Sequence, residues 1–406
     1  MAREDLPSLL LLPFPPDPSS RLLLNAAYRP PITAALSKLK RSNGPSKLTV
    51  AVACPILQGP FLRSKTLSWS EAQALVAGIY AIISIVSAEF SINTEIDGGP
   101  SSVDATVLLI DHSRAKRFTA DFRPAIEPNN TIIVDLPTFA SAFYPWNHIF
   151  HVRSEAGLQI YQTYLRFSEG RATLLQDQLV PVEGGLTMNA TPQEEPSSSQ
   201  PQTKTYLTIC LGGTFDYLHP GHKLLLTAGA LLLNLPQKDD AGPRSRYIIG
   251  ITGDSLLKNK KFAEYVQPWD VRARNVIIFL SRLLQLSERG WKDGTIPRID
   301  EKDGDFRASF RDGTVEVQCV RIEDPFGPTI TVEDIDALVV SGETREGGKA
   351  VNEKRVEKGW KALEVFEVEV LDAEEVKSDG LEVKEGFETK ISSSGIRERR
   401  ALGTKI

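Results

Sequence analysis

The sequence predicts a two-part α/β molecule: a C-terminal doubly wound, mostly parallel sheet preceded by a separate N-terminal α/β domain. Three observations predict it. Short apolar, β-branched runs alternate with helical stretches in both halves, the pattern of βαβ units around a parallel sheet. A segment nearly free of large apolar residues, TMNATPQEEPSSSQPQTKT at 187–205, lies between them. Such a stretch buries too little surface to offset its ordering entropy and reads as a flexible linker. A pair of glycines closes the first strand of the second half, ahead of a helix, where open α/β sheets bind ligands. The boundaries are then 1–186 for the N-terminal domain, 187–205 for the linker and 206–406 for the C-terminal domain.

Composition narrows the function classes. The net charge is −5 and the pI about 5.7, so there is no basic footprint for nucleic acid. Any anionic ligand is held by local chemistry. Cys54, Cys210 and Cys319 are far apart, with neither a CxxC pair nor zinc spacing, which fits a reducing compartment. The opening MAREDLPSLLLLPFPPDPSS is acidic and broken by prolines, a poor secretory leader. AQALVAGIYAIISIVSA, between Glu71 and Glu89, approaches membrane-span length but has acidic flanks and no Lys/Arg anchors. It is expected to be a buried helix, and the protein a cytoplasmic one without membrane contact.

The N-terminal elements follow in order. KLTVAVAC (47–54) predicts a buried strand, and residues 70–89 a helix with Ser70 as N-cap. ATVLLID (105–111) and TIIVDLP (131–137) predict two more strands. His112, His148 and His151 have no ligand spacing. The last two sit beside Tyr144, Trp146 and Phe150 and predict a packed aromatic corner. There is no glycine-rich phosphate loop here.

The C-terminal half predicts strands at 205–213, 246–254, 315–322, 336–343 and 364–371. Helices are expected at 223–233, 268–286 and 352–363, with a polar insertion at 287–313. Chemistry is most legible in GGTFDYLHPGHK, 212–223. Glycines let backbone approach a ligand, and a helix start offers free N–H groups and partial positive charge. His219 and His222 lie three apart around Pro220 and Gly221, so both rings can face one point and donate to phosphate oxygens. A second stretch, KISSSGIRERRALG at 390–403, sets three serines before a basic helix. Hydroxyls, helix-start amides and an arginine fork suit phosphate, although taken alone the stretch is better explained as a serine N-cap followed by a basic last helix.

GGTFDYLHPGHK resembles the (H/T)xGH signature of the nucleotidylyltransferase superfamily, and ISSSGIR resembles its ISSxxxR element. Three further blocks occur in order: GITGDSLLKNKKFAEYVQPWDVR (250–272), EDPFGPT (323–329) and VVSGETREGGKAVNEKR (339–355). Together the five blocks resemble the eukaryotic and archaeal type of phosphopantetheine adenylyltransferase, and the N-terminal half resembles in size and order that of fungal relatives. GETREGGK fails as a Walker A loop: Gly348 stands where Lys is needed, and Lys349 is itself followed by Ala350 instead of Ser or Thr.

The resemblance implies a Rossmann-like nucleotidylyltransferase domain that takes ATP with Mg²⁺, and 4′-phosphopantetheine. It implies His219, His222 and Thr214 as catalytic residues, and Gly212, Gly213, Phe215, Gly221, Glu343, Ser392, Ser393, Ser394 and Arg397 around the nucleotide. Thr214, Lys258 and Lys260 would hold the acceptor phosphate. It implies no metal bound by the protein itself, and other enzymes of coenzyme A synthesis as partners. Two alternatives stay open: a superfamily member with another acceptor, such as nicotinamide mononucleotide, and a non-catalytic nucleotide-binding scaffold.

Overall fold

The computed structural model describes residues 6–42, 44–96, 98–143, 145–171, 174–186, 202–237, 239–240, 242–286, 297–369 and 392–403. The first half holds six strands: β1 (Ser8–Leu12), β2 (Ser46–Cys54), β3 (Val103–Asp111), β4 (Val134–Asp135), β5 (Ile149–Val152) and β6 (Leu179–Val182). They pair in the order β4-β3-β2-β1-β5-β6, parallel throughout. Helices α1 (Arg21–Leu39), α2 (Trp69–Glu89), α3 (Leu136–Ala142) and α4 (Glu155–Ser168) accompany this sheet. Its inner strands are buried along most of their length because helices cover both faces.

The second half holds β7 (Thr208–Gly213), α5 (Pro220–Ala230), β8 (Ser245–Thr252), α6 (Trp269–Leu284), β9 (Ile299–Lys302), β10 (Asp305–Phe310) and β11 (Val315–Ile322). It continues with β12 (Ala337–Ser341), α7 (Arg345–Glu357), β13 (Glu364–Val368) and α8 (Ser393–Gly403). The order is β13-β12-β7-β8-β11-β10-β9. From β13 to β11 the strands are parallel; β10 and β9 add an antiparallel edge. The chain leaves β7 toward β8 and β11, then crosses back to lay β12 on the other flank. The strand order therefore reverses between β7 and β12, the place where such sheets bind ligands beyond their carboxyl ends.

Several expectations change. The N-terminal apolar run forms β1, in the middle of its sheet. The 131–137 stretch is a strand only at Val134–Asp135: Asp135 Oδ1 accepts from the Thr138 N–H at 2.9 Å, and Pro137 favours a helix start, so α3 begins there. IFHV, inside the expected aromatic corner, is strand β5; there His151 stacks on Tyr161 at 3.9 Å, and Trp146 Nε1 donates to Tyr164 Oη at 2.7 Å. Ser68, not Ser70, is the N-cap of α2. Part of the 287–313 insertion is the β9–β10 hairpin, which widens the sheet; residues 287–296 lie outside the described set, as do Tyr144 and linker residues 187–201. The linker's far end is anchored: the Thr203 N–H donates to the Leu67 carbonyl at 3.0 Å, and its Oγ1 accepts from the Trp69 N–H at 3.0 Å.

The two sheets do not sit on independent cores. One apolar cluster includes Val76, Ile79 and Ile83 of α2 together with Leu224 and Ala228 of α5 and Leu231, its C-cap. Trp69 Nε1 donates to the Ala228 carbonyl at 2.8 Å across the same boundary. Helix α2 is the one described helix long and apolar enough to cross a membrane. Its apolar window is 83% buried between its own sheet and α5, which explains its composition as core.

Candidate active site

At the carboxyl end of β7 the chain turns through Thr214, Phe215, Asp216 and Tyr217 into α5. Phe215 and Tyr217 have φ of +52° and +45°, an uncommon left-handed conformation for bulky side chains. Phe215 is fully buried, and its ring lies 5.3 Å from that of His222. Gly213 is needed locally, because a Cβ there would meet the Phe215 ring at 3.0 Å. At Gly212 a Cβ would meet only the Gly250 carbonyl, at 3.8 Å; the lip of the strand is open to an approaching group.

His219 is the N-cap of α5, and Pro220 fills its first position. The rings of His219 and His222 stack with centroids 3.9 Å apart, as their spacing foretold. Gly221 permits this, since a Cβ would press on the His219 ring at 3.3 Å. Burial pushes both imidazoles down, His222 to about 3 and His219 well below its usual value, where the neighbouring His222 and Lys223 add to the effect. Both rings are therefore neutral near pH 7. Nδ1 of His222 is buried without a hydrogen-bond partner.

The two motifs, distant in sequence, meet here. Ser393 Oγ donates to the Asp216 carbonyl at 2.8 Å. Arg397 Nη1 pairs with Asp216 Oδ2 at 2.6 Å, both side chains being buried. Arg397 Nε donates to the Lys261 carbonyl and Nη2 to Ser394 Oγ. Ser392 Oγ accepts from the Gly395 N–H at 3.1 Å, the serine cap. The start of α8 is thus fastened to the loop that carries the histidines. Arg397 thus makes three of its hydrogen bonds to hold α8 against the histidine loop.

Sequence reasoning missed the residue that ties the strand ends together. Arg272, on α6, is fully buried. It donates to the carbonyls of Thr214 (2.7 Å), Thr252 (2.9 Å) and Gln267 (2.9 Å), and to Asp254 Oδ1 (2.6 Å). Gln267 in turn accepts from the Tyr217 N–H, and its own N–H donates to Asp216 Oδ1. The only signal was an arginine inside PWDVR, and its acceptors are set by tertiary structure. Lys258 and Lys260 are exposed on the turn that follows β8. Glu343 is exposed in the turn after β12. All three lie past carboxyl ends of the parallel strands, on the edge of the sheet where the histidines stand.

A doubly wound sheet with strand-end glycines, paired imidazoles and a serine-headed helix at the point of strand reversal gives a Rossmann-like domain with its candidate site where such sheets bind ligands. Comparison with known proteins narrows the class. The chain is 33% identical over 204 residues to the phosphopantetheine adenylyltransferase of Saccharomyces cerevisiae, covering 50% of this chain and 52% of that protein. It is 28% identical over 195 residues to the phosphopantetheine adenylyltransferase of Thermococcus gammatolerans, covering 48% and 89%. An uncharacterized protein of Schizosaccharomyces pombe is 32% identical over 210 residues, covering 52% and 53%. The chain matches about half the length of these fungal relatives. Its resemblance is to the phosphopantetheine adenylyltransferases. Residues 1–188 match a family model described as Domain of unknown function (DUF8446).

Proposed function

We propose that the chain transfers AMP from ATP to 4′-phosphopantetheine, giving dephospho-CoA and pyrophosphate, in the cytoplasm and within coenzyme A synthesis. The observation that carries this reading is the pair of neutral, stacked imidazoles at the start of α5, on the same loop to which Ser393 fastens the serine-headed start of α8. An oxygen of the acceptor phosphate attacks the α-phosphorus in line. The new P–O bond forms as the bond to the β-phosphate oxygen breaks, and pyrophosphate leaves with its electron pair. The acceptor is already an oxyanion, so positioning and charge stabilisation supply the catalysis.

In this reading His219 and His222 donate N–H groups to α-phosphate oxygens as negative charge builds. Thr214, Lys258 and Lys260 hold the acceptor phosphate, and Gly212 leaves room for the nucleotide. Serine hydroxyls and free amides of α8 receive the leaving pyrophosphate, while Arg397 keeps α8 in place through Asp216. Among the described residues no cluster of three or more His, Cys, Asp or Glu could cage a cation. In this reading Mg²⁺ would enter with the triphosphate of ATP.

Pyrophosphate release, measured with ATP and a panel of acceptors, tests the proposal. Turnover with 4′-phosphopantetheine and none with nicotinamide mononucleotide or phosphocholine is the expected result. Preference for another acceptor would move the protein elsewhere in the superfamily. Nucleotide binding without release of pyrophosphate would make it a scaffold.

A further inference from the structure

Helix α5 presents two consecutive residues to two different places. His222 joins the imidazole stack. Lys223, turned about 100° around the helix, points away from the site with its side chain wholly buried. An ammonium has three donors and no acceptor, and all three are satisfied: Asp104 Oδ1 at 2.5 Å, the Thr94 carbonyl at 3.1 Å and the Ala105 carbonyl at 3.1 Å. Every one of these acceptors belongs to the N-terminal half. The second oxygen of Asp104 receives Arg282 Nη2 of α6 at 2.7 Å, and Arg282 Nη1 donates to Thr106 Oγ1 at 3.1 Å. One buried carboxylate on β3 thereby holds both helices that flank the candidate site.

Burial alone would raise the Asp104 carboxyl, but Arg282 and Lys223 hold it well below the usual range, so it stays charged. A second, looser contact links the N-terminal half to α8. Arg400 lies over the Tyr217 ring at 4.4 Å and approaches Glu95, a buried N-terminal-half carboxylate, at 3.9 Å.

We infer that the N-terminal half completes the active site without entering it: Asp104 is a positioning residue that, through buried Lys223, fixes the first turn of α5 and with it His219 and His222. This rests on the proposed adenylyl transfer for its kinetic readout. The geometry requires the dependence. The first turn of α5 begins at Pro220, so its neighbours must set its orientation, and Lys223 is the side chain of that turn locked by three directed contacts. Rotating the turn to release Lys223 would carry His222 off the α-phosphate. A misplacement of about 1 Å can cost on the order of a hundredfold in rate.

The test uses the full chain. Asp104→Asn keeps the shape and removes the charge. Its kcat with ATP and 4′-phosphopantetheine is expected to fall about tenfold to a hundredfold per folded molecule, with the KM for ATP within about threefold of wild type. Lys223→Met removes the other partner while leaving Asp104 paired with Arg282, and serves where Asp104→Asn does not fold; the same split is expected. A folded variant with lowered thermal stability and wild-type kcat would overturn the inference, because the triad would then be structural glue alone. Histidine-labelled NMR of the same proteins separates this from the functional reading. If wild type does not turn over these substrates, the functional reading fails. The positioning claim then stands or falls on whether the His219 and His222 ring signals move in Asp104→Asn.

Discussion

His222 carries the sharpest consequences of the site. It sits where the strand-end loop becomes a helix, and its ring is neutral and short of a hydrogen-bond partner at Nδ1. Its N–H matters most when charge develops on the α-phosphate. His222→Ala should therefore lower turnover at least about a hundredfold, with ATP affinity changed only a few fold; steady-state kinetics beside equilibrium nucleotide binding would show it. The same ring makes folding depend on pH. An unfolded histidine takes up a proton near pH 6.5, whereas folded His222 resists until about 3. Between those values the unfolded chain binds more protons. Stability is thus fully present above about pH 6.5 and is lost as pH falls toward 3. His112, which burial holds near 4, adds a contribution of the same sign. His222→Gln should flatten the acid side of a urea-midpoint curve between pH 6.5 and 4, and an unchanged slope would show that the ring protonates freely in the folded state.

These histidines were legible in the sequence because their chemistry is local: two rings, three residues apart, at one helix start. Ser392 to Ser394 were legible for the same reason. Arg272 and the Asp104–Lys223–Arg282 triad were not, since Lys223 and Asp104 lie 119 residues apart and meet only when the two sheets pack. Arg397 was half legible. Its place beside the motif could be foreseen, but its burial against Asp216 could not.

At the scale of elements, α5 is held on two sides. On one, Tyr247 Oη of β8 donates to the Leu226 carbonyl at 2.8 Å; on the other lies α2. Gly229 lets Tyr247 come this close, for a Cβ there would stand 2.1 Å from Tyr247 Oη. Alanine normally favours a helix interior over glycine by about 1 kcal/mol. Here the buried, hydrogen-bonded phenol has nowhere to go, and overpacking outweighs the gain. Gly229→Ala should destabilise the chain by about 1–3 kcal/mol, read from denaturant unfolding, and tilt α5 enough to lower kcat as well. A stabilised variant would mean that Tyr247 can swing aside. Two elements of the first sheet were harder to read than α5 or β7. A run of four leucines ringed by prolines does not announce the middle strand of a sheet, and Asp-Leu-Pro at 135–137 signals a helix cap inside what looks like a β-branched strand.

At the scale of the whole molecule, linker composition and the position of every motif after it suggest that a chain starting near residue 200 would fold and work alone. The packing of α2 against α5 points the other way. Removing the N-terminal half would bare Leu224, Ala228 and Leu231, which belong to the shared core. It would also leave the Lys223 ammonium without any of its three acceptors and Arg282 without Asp104 and Thr106. Breaking a buried pair by deleting one partner typically costs about 3–5 kcal/mol, a large share of the 5–15 kcal/mol that holds a typical domain together. Solvent reaching Lys223 in the truncated chain would soften that cost, but it cannot restore the lost apolar contacts. A 202–406 chain is therefore expected to be poorly soluble, with less than about a tenth of wild-type kcat in any soluble fraction. Co-expression with residues 1–186 as a separate chain should recover both solubility and turnover, because the contacts are non-covalent and the linker carries none of the triad. Activity per folded molecule, with folding followed by circular dichroism, decides the matter. A soluble, folded 202–406 chain with wild-type kcat would show that α5 finds its place without the carboxylate on β3.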